Sequence, residues 1–344
     1  MRYPAPLSRG SKVGITAPSS AVPPNLEARL DLAIENLEKR GFTAVEGSCL
    51  RSPSQEVDRC FSPNERAADF MNLYCNEEIE AIHPPWGGEL LIDILDLLDW
   101  DLLKTIPPKW LIGFSDTSTL LLPFTQKLDI ATLHGTNLMD SVESQVDPLS
   151  SSIYTVLGTP PGDMINQEQS LSYQKEFLDY EKHPNSGFKT TEDTRWHLLG
   201  EPRDLRFSGR LIGGCLDTIV HLAGPPFGRI PDFNSRYRSE GIILHLEHCE
   251  MTPNSLHRSL MQLKLAGWFE HLTGILFGRS QIIDLDFPSN PFFPVIESIL
   301  GSLDIPILVN VDIGHIPPQM SIVNGAKGIV IWEQGKGKLI QEFI

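Results

Sequence analysis

The first 140 residues show short apolar runs separated by segments with apolar side chains at helical spacing. Residues 12–17 form an apolar run that ends at Pro18, and residues 26–40 place leucines and alanines at helical spacing before Gly41. A second apolar run follows at residues 42–45. This strand, helix, strand pattern predicts an α/β protein with a parallel sheet.

The pattern continues and predicts further elements along the chain. Residues 209–219 are rich in glycine, and we interpret them as a turn entering a helix. They lack the glycine and lysine spacing of a phosphate loop, so close packing explains the glycines better. Asn324-Gly325 predicts the turn of a hairpin. The other predicted elements are helices at 67–75, 90–98 and 255–265, strands at 79–82, 110–114, 129–138, 241–247, 274–278 and 307–311, and hairpin strands at 320–323 and 328–332.

Ser115 lies at the corner between the strand at 110–114 and the helix that follows. A serine at such a corner exposes its hydroxyl, and the backbone N–H of Asp116 points from the helix N-terminus toward the group that the hydroxyl attacks. Gly113 precedes the serine by two positions, as in a nucleophile elbow, but Thr117 replaces the second glycine of that motif. Ser115 is therefore a candidate nucleophile; the alternative is a serine that only caps its helix.

Two adjacent glycines, Gly87 and Gly88, follow the predicted strand at 79–82. If this strand neighbours the one before Ser115, the N–H of Gly88, or that of Gly87, converges with the N–H of Asp116 on one oxygen. Such a pair of donors stabilises the oxyanion of acyl transfer by about 3 kcal/mol per donor. The alternative is a tight turn without a ligand.

A carboxylate and an imidazole each follow a predicted strand in the second half of the chain. Glu247 ends the strand at 241–247, and His315 comes shortly after the strand at 307–311. A serine nucleophile needs a base, and a histidine base works better when a carboxylate holds its orientation. The residues occur in the order Ser115, Glu247, His315, although order alone proves nothing. His134, at the end of an earlier strand, is a further candidate base.

The length and composition of the chain predict two domains. The 344 residues are 41% hydrophobic and 21% charged, which is enough for a large core and long for one domain. We divide the chain into an N-terminal α/β domain at 1–150, a polar connection and substrate loop at 151–200, and a C-terminal domain at 201–344. Trp196, an aromatic residue in polar company, is either a platform that stacks on a ligand or an anchor that fixes the connection to the core.

The charge and the cysteines exclude several classes of protein. A net charge of −16 argues against nucleic acid or an anionic membrane as the main partner. Five cysteines without CxxC spacing suit a reducing compartment and predict no metal site. The N-terminus lacks the apolar core of a signal peptide, and no apolar run is long enough to span a membrane, so we expect a cytoplasmic protein. An enzyme that uses Cys249 or Cys215 is an alternative.

Six short motifs occur along the chain in this order: Gly87-Gly88, Gly113-Phe-Ser-Asp116, His134-Gly-Thr-Asn137, Gly209-Arg-Leu-Ile-Gly-Gly214, Leu246-Glu247 and Gly314-His315. Together they resemble the LD-carboxypeptidase family, and most closely its branch of microcin C self-immunity serine peptidases. The likeness runs from about residue 12 to about residue 328. It implies an N-terminal flavodoxin-like domain with a nucleophile elbow, a C-terminal α/β domain with a barrel-like sheet, a homodimer, and no metal or cofactor.

The resemblance also implies roles for single residues. Ser115 is the implied nucleophile, Glu247 and His315 are its partners, and the backbone of Gly88 and Asp116 forms the oxyanion hole. The long polar connection is similar to that of the immunity branch, in which a tryptophan stacks on a nucleotide base. We therefore assign three residues to substrate binding: Trp196, Gly87 and Asn137.

The implied function is hydrolysis of an amide bond in an aminoacyl- or peptidyl-nucleotide, which detoxifies an antibiotic. The alternative within the family is a muropeptide LD-carboxypeptidase of cell-wall recycling, and the alternative of another class is a non-catalytic protein that binds a small molecule. Met251 falls where members of the immunity branch can carry a basic residue, so that loop offers no cation to a substrate carboxylate.

Overall fold

The computed structural model describes residues 1–142, 147–176, 179–201, 203–280 and 289–344. The described strands are β1 (Lys12–Ile15), β2 (Thr43–Glu46), β3 (Ile79–Ile82), β4 (Trp110–Gly113), β5 (Thr132–His134), β6 (Met164–Glu168), β7 (Ser172–Tyr173), β8 (Glu192–Asp193), β9 (His197–Leu198), β10 (Leu205–Cys215), β11 (Ile242–Glu247), β12 (Leu272–Gly278), β13 (Ile307–Val311), β14 (Ile322–Asn324), β15 (Lys327–Glu333) and β16 (Lys336–Glu342).

Helices cover these strands, and several begin with clear capping chemistry. Ser62 caps α2 in a reciprocal arrangement, because its hydroxyl accepts from the N–H of Glu65 while the carboxylate of Glu65 accepts from the N–H of Ser62. The described α-helices are α1 (Glu27–Lys39), α2 (Pro63–Cys75), α3 (Trp100–Thr105), α4 (Ser118–Leu128), α5 (Pro148–Ser151), α6 (Ile153–Leu157), α7 (Leu216–Ile219), α8 (Ile230–Arg236), α9 (Pro253–Leu265) and α10 (Phe292–Leu300).

The first sheet has six strands in the order β2-β1-β3-β4-β5-β14. The first five pair in parallel, and β14 pairs with β5 in the antiparallel direction. The order 2-1-3-4-5 is the one found in flavodoxin-like sheets, which bind ligands at the carboxyl ends of their strands. The predicted parallel sheet is therefore confirmed, and its carboxyl edge includes the end of β4 before Ser115.

The second sheet has eight strands in the order β6-β16-β15-β10-β11-β12-β13-β9. Strands β10 to β13 are parallel, and antiparallel strands flank them on both sides. In the described residues β6 and β9 are the two edges and do not pair with each other, so the sheet is open. The expected barrel-like sheet is not supported, because closure requires the two edge strands to hydrogen-bond.

Three predicted elements differ in the structure. The glycine-rich segment at 209–219 lies mostly in β10, a central buried strand, and its glycines permit close packing: a Cβ on Gly214 would lie 2.8 Å from Ser118. The hairpin at Asn324-Gly325 is wrong, since β14 joins the first sheet and β15 pairs with β10 and β16 in the second. The helix at 90–98 is reduced to the 3₁₀ turn Leu91–Ile94.

The polar connection contributes strands to the second sheet. Strands β6 and β9 come from it and form the two edges, while β14 returns from the end of the chain to the first sheet. The division at residues 150 and 200 stays a prediction. Among the described residues, no helix has both the length and the apolar character that crossing a membrane requires.

Candidate active site

Ser115 occupies the tight corner that its sequence predicts. Strand β4 ends at Gly113, and Ser115 adopts φ = 59°, a left-handed conformation that is unfavourable for residues with a side chain. A 3₁₀ turn at Ser115–Thr117 then leads into α4. The N-cap positions of this turn and of α4 are Phe114 and Thr117. The hydroxyl of Ser115 instead lies 3.0 Å from His315 Nε2, so helix capping does not explain the serine.

The carboxylate of Asp116 fixes this corner to its neighbours. It is buried and accepts hydrogen bonds from Ser19 Oγ at 2.6 Å, from Leu91 N at 2.9 Å and from Thr119 Oγ1 at 3.1 Å. Burial raises the pKa of this carboxyl, although these donors oppose the rise. The corner is thus tied both to the end of β1 and to the segment after the two glycines.

His315 joins Ser115 to Glu247 across the two sheets. His315 Nε2 lies 3.0 Å from Ser115 Oγ, and His315 Nδ1 lies 2.8 Å from Glu247 Oε2. Glu247 ends β11 and is fully buried, whereas the His315 side chain keeps 18% of its surface exposed. The three side chains form one hydrogen-bonded line that ends at the accessible hydroxyl.

Electrostatic attraction between Glu247 and His315 determines how the two side chains ionise. Burial alone favours the neutral carboxyl of Glu247, but the charge and hydrogen bond of His315 outweigh it and lower the pKa of Glu247 to about 2. For His315, burial lowers the pKa, while the Glu247 carboxylate and a contact with Cys249 raise it well above the usual 6.5. Glu247 therefore stabilises a proton on the imidazole.

The two adjacent glycines lie directly against the serine corner. A Cβ built on Gly87 would lie 2.8 Å from Ser115 Cβ, 2.9 Å from Ser115 Oγ and 3.1 Å from the backbone nitrogen of Asp116. Gly88 adopts φ = 139°, which favours glycine. Gly87 and the backbone nitrogen of Asp116 thus border one small space next to the hydroxyl of Ser115.

A cavity of about 580 Å³ opens in front of these groups. Gly87, Gly88, Ser115, Asn137 and His315 all line it. The Oδ1 atom of Asn137 also accepts from the N–H of Phe114 at 3.3 Å and so supports the end of β4.

Trp196 lies elsewhere, and its assignment as a stacking platform is corrected. Only 1% of its surface is exposed, and its Nε1 donates to Asp312 Oδ2 at 2.8 Å. Its ring packs against Gly337, where a side chain would not fit. A ring enclosed in this way has no free face for a base, so Trp196 is the anchor of the connection. The cavity is lined by other aromatic residues, among them Trp86 and Tyr180.

A buried ion pair that was not predicted from the sequence lies next to the segment that contains His315. Arg279 follows the end of β12 and donates to Asp312 Oδ1 at 2.6 Å, and Arg279 Nη2 donates to the carbonyl of Ile316 at 2.9 Å. Both side chains are almost fully buried. The pair holds the segment that contains His315. Arg279 could have been predicted as a functional candidate, because it is a charged residue directly after an apolar strand.

Of the other candidate residues, His134 and Cys215 do not line the cavity, whereas Cys249 does. His134 is fully buried, and burial lowers its pKa to about 4, so it is neutral and out of reach of the cavity. Cys249 lines the cavity, whereas burial raises the pKa of the Cys215 thiol well above 9. Donor atoms of Cys215, Glu247 and His315 lie within 4.8 Å of one another, but a metal there would replace the hydrogen bond between Glu247 and His315.

A serine, an imidazole and a buried carboxylate that form one hydrogen-bonded line where two α/β sheets meet are an arrangement typical of serine hydrolases. The sequence model of the LD-carboxypeptidase N-terminal domain matches residues 13–135, and that of the LD-carboxypeptidase C-terminal domain matches residues 208–330. Together the two models match more than half of the chain. The chain therefore belongs to the LD-carboxypeptidase family.

Known proteins are similar over nearly the whole chain. The microcin C7 self-immunity protein MccF of Escherichia coli is 23% identical over 99% of this chain and 96% of its own length. The murein tetrapeptide carboxypeptidase of Pseudomonas aeruginosa is 25% identical over 88% of each chain. Among solved structures, an MccF-like protein from Bacillus anthracis superposes with a TM-score of 0.84 at 20% identity, covering 99% of both chains. MccF in complex with glutamyl sulfamoyl guanosine gives a TM-score of 0.81 at 22% identity, with the same coverage.

Proposed function

We propose that this protein is a serine carboxypeptidase-type amide hydrolase with a triad of Ser115, His315 and Glu247. The observation that supports it best is the continuous line from Ser115 Oγ to His315 Nε2 at 3.0 Å and from His315 Nδ1 to Glu247 Oε2 at 2.8 Å. A non-catalytic binding protein has no need for a buried carboxylate behind a histidine that contacts an accessible serine at a strained corner.

In the proposed reaction, Ser115 Oγ attacks the amide carbonyl while His315 Nε2 takes the hydroxyl proton. The carbonyl oxygen becomes an oxyanion, which accepts hydrogen bonds from the N–H of Asp116 and of Gly88, or of Gly87. The C–N bond then breaks, His315 gives its proton to the leaving amine, and an ester to Ser115 remains. Water, deprotonated by His315, attacks this ester and releases the acid and the free serine. Glu247 stabilises the imidazolium throughout.

We propose an aminoacyl- or peptidyl-nucleotide as the substrate, cleaved at an amide bond close to a free carboxylate or an acyl-phosphoramidate. This choice rests on the likeness to MccF, which was solved in complex with glutamyl sulfamoyl guanosine and with aspartyl sulfamoyl adenosine. The murein tetrapeptide carboxypeptidase relative supports the second candidate, a muropeptide. The proposal includes a homodimer, a cytoplasmic location and a reaction without a cofactor, all carried over from the sequence and the family resemblance.

An active-site serine probe tests the mechanism. A fluorophosphonate, with the labelled residue located by mass spectrometry, is expected to modify Ser115 and to spare Ser20, which also lines the cavity but donates its hydroxyl to Asp58. The Ser115→Ala variant should lose labelling and turnover, while Ser20→Ala keeps the label. Equal turnover by Ser115→Ala and the unaltered protein would refute the proposal. Comparing an aminoacyl sulfamoyl adenosine with a muropeptide tetrapeptide decides between the substrates.

A further inference from the structure

The cavity in front of Ser115 is lined by acidic side chains. The described residues that line it include no lysine and no arginine, so apart from the imidazole of His315 the charged side chains that face a ligand from these residues are carboxylates. Apart from His315, these residues offer no cation to a substrate carboxylate. The acidic lining residues are Asp58, Glu89, Asp140, Asp179, Glu181 and Glu250.

Three of these carboxylates already have partners. Asp58 accepts from Ser20 Oγ at 2.5 Å, and Asp179 forms an ion pair with Lys182 at 2.7 Å. Asp140 accepts from the N–H of Asn137 at 3.0 Å. These contacts reduce the attraction that the three groups exert on a ligand, so they are not the main source of selectivity.

The other three carboxylates, on Glu89, Glu181 and Glu250, are exposed. In the part of the chain that the structure describes, no lysine or arginine forms an ion pair with them. Glu89 follows the two glycines directly, and Glu250 follows Cys249, which contacts His315. Glu89 and Glu250 therefore line the cavity from segments that follow strands of different sheets, β3 and β11.

An independent feature of the cavity is a buried carbonyl oxygen to which no described residue donates a hydrogen bond. Gln319 lines the cavity, only 3% of its surface is exposed, and its Oε1 has no hydrogen-bond partner among the described residues. A buried carbonyl oxygen without a partner costs roughly 1–3 kcal/mol, which a ligand N–H would recover. The aromatic ring of Trp86 in the same cavity also suits a cation, whereas Arg29 already lies 3.4 Å from the centre of the Tyr180 ring.

We propose that the substrate of this cleft carries an ammonium or guanidinium group, which Glu89 and Glu250 select and to which Gln319 accepts a hydrogen bond. The inference rests on the proposed hydrolase function and specifies its substrate class. An anionic side chain of the same size is disfavoured, because like charges repel and Met251 supplies no counter-charge. The selectivity is electrostatic, so it decreases as the salt concentration rises.

A binding experiment tests the charge preference without any need for turnover. The Ser115→Ala protein is titrated with N-acetyl-lysinamide, N-acetyl-norleucinamide and the α-amide of N-acetyl-glutamic acid, whose net charges are positive, zero and negative. The lysine ligand is expected to bind at least about fivefold more tightly than the norleucine ligand, and the glutamate ligand most weakly. Equal affinities, or a preference for the glutamate ligand, would overturn the inference.

A kinetic experiment assigns the preference to the two carboxylates. The ratio of kcat/KM for lysyl over norleucyl sulfamoyl adenosine is measured in the unaltered protein, in Glu89→Gln/Glu250→Gln, and in Glu168→Gln. Glu168 is an exposed acid on β6 that does not line the cavity. The ratio should fall toward one in the double variant and stay constant in the control. A ratio unchanged in the double variant contradicts the assignment.

The two proposals fail in different ways. If no substrate is cleaved and the serine probe does not label Ser115, while the lysine ligand still binds preferentially, the hydrolase function fails and the charge preference stands. If all substrates are cleaved at equal rates and cleavage depends on Ser115, the function stands and the charge preference fails.

Discussion

The two sheets contribute to the candidate site in different ways. The first sheet contributes backbone geometry: Ser115 at a strained corner, the N–H of Asp116, and Gly87 in contact with both. The second sheet contributes ionisable side chains, because Glu247 ends β11 and His315 follows β13. The first half of the site is thus defined by positions of main-chain atoms, and the second half by charge.

This difference predicts which substitutions the part of the site on each sheet tolerates. A main-chain site fails when an added atom occupies its space, even if no charge changes. A charge-based site fails when a charge is removed, even if the shape is retained. We therefore expect substitutions on the first sheet and substitutions on the second sheet to alter the kinetics in different ways.

The largest effect is expected from His315→Ala on the second sheet. Without the base, the hydroxyl of Ser115 is a poor nucleophile, and kcat should fall at least about 10⁴-fold. Because the two residues act as one unit, the double variant Ser115→Ala/His315→Ala should be little worse than either single variant. Steady-state kinetics measures kcat of the single and double variants, with whichever of the two candidate substrates the unaltered protein cleaves.

His134→Asn is the control for this experiment. His134 is buried and neutral, and it does not line the cavity. The His134→Asn substitution should change the free energy of unfolding, while the folded enzyme keeps the kcat of the unaltered protein. A loss of kcat in His134→Asn as large as that in His315→Ala would identify a different base.

Gly87→Ala tests the first sheet. The added Cβ would lie 2.9 Å from Ser115 Oγ and 3.1 Å from the nitrogen of Asp116, in the space proposed for the oxyanion. We expect kcat to fall about 10²–10³-fold, as when one oxyanion donor is lost. Gly158→Ala is the control, because its Cβ would meet nothing closer than 3.4 Å. A fully active Gly87→Ala enzyme would show that no oxyanion binds there.

The pH dependence of kcat/KM separates charge from geometry on the second sheet. Glu247 raises the pKa of His315 above its usual 6.5, and only the neutral imidazole can act as a base. Activity should therefore rise with pH through a value above 6.5. In Glu247→Gln the raising charge is gone, so this limb should move to lower pH while the maximal rate falls.

A pH profile with the same acidic limb in both enzymes would contradict this role for Glu247. Gly87→Ala is the comparison, since it alters no ionisable group. The acidic limb of its profile should stay at the same pH as in the unaltered protein, while the maximal kcat/KM is lower. This result distinguishes a steric defect from an electrostatic one.

A local rule predicted the strand-end position of each site residue, whereas their grouping was implied by the family resemblance. Ser115, Glu247 and His315 each lie at or after the carboxyl end of a strand, and parallel sheets place such ends at one edge. The distances of 2.8 and 3.0 Å between them depend on how the two sheets meet, which no local pattern contains. The strands of the first sheet were predictable because their apolar runs are short and bounded by turn residues.

Long-range partners account for the predictions that failed. The turn at Asn324-Gly325 exists, with φ = 91° at Gly325, but its two strands enter different sheets. The Asn-Gly sequence determines that the chain turns here, but it does not determine which strands β14 and β15 pair with. The glycines of β10 were interpreted as a turn because glycine has no side chain to reveal a strand, whereas here they allow close packing.

The smallest effect is expected from Trp196→Phe, which tests the assignment that changed most. The indole donates to Asp312, 116 positions away, and no sequence pattern indicates this partner. Removing the donor should lower the free energy of unfolding by about 1–2 kcal/mol, measured by urea denaturation, with KM unchanged because the ring does not line the cavity. A large rise in KM at unchanged stability would restore the stacking role. Met164→Ala, a change at an exposed side chain of β6, is the control for stability.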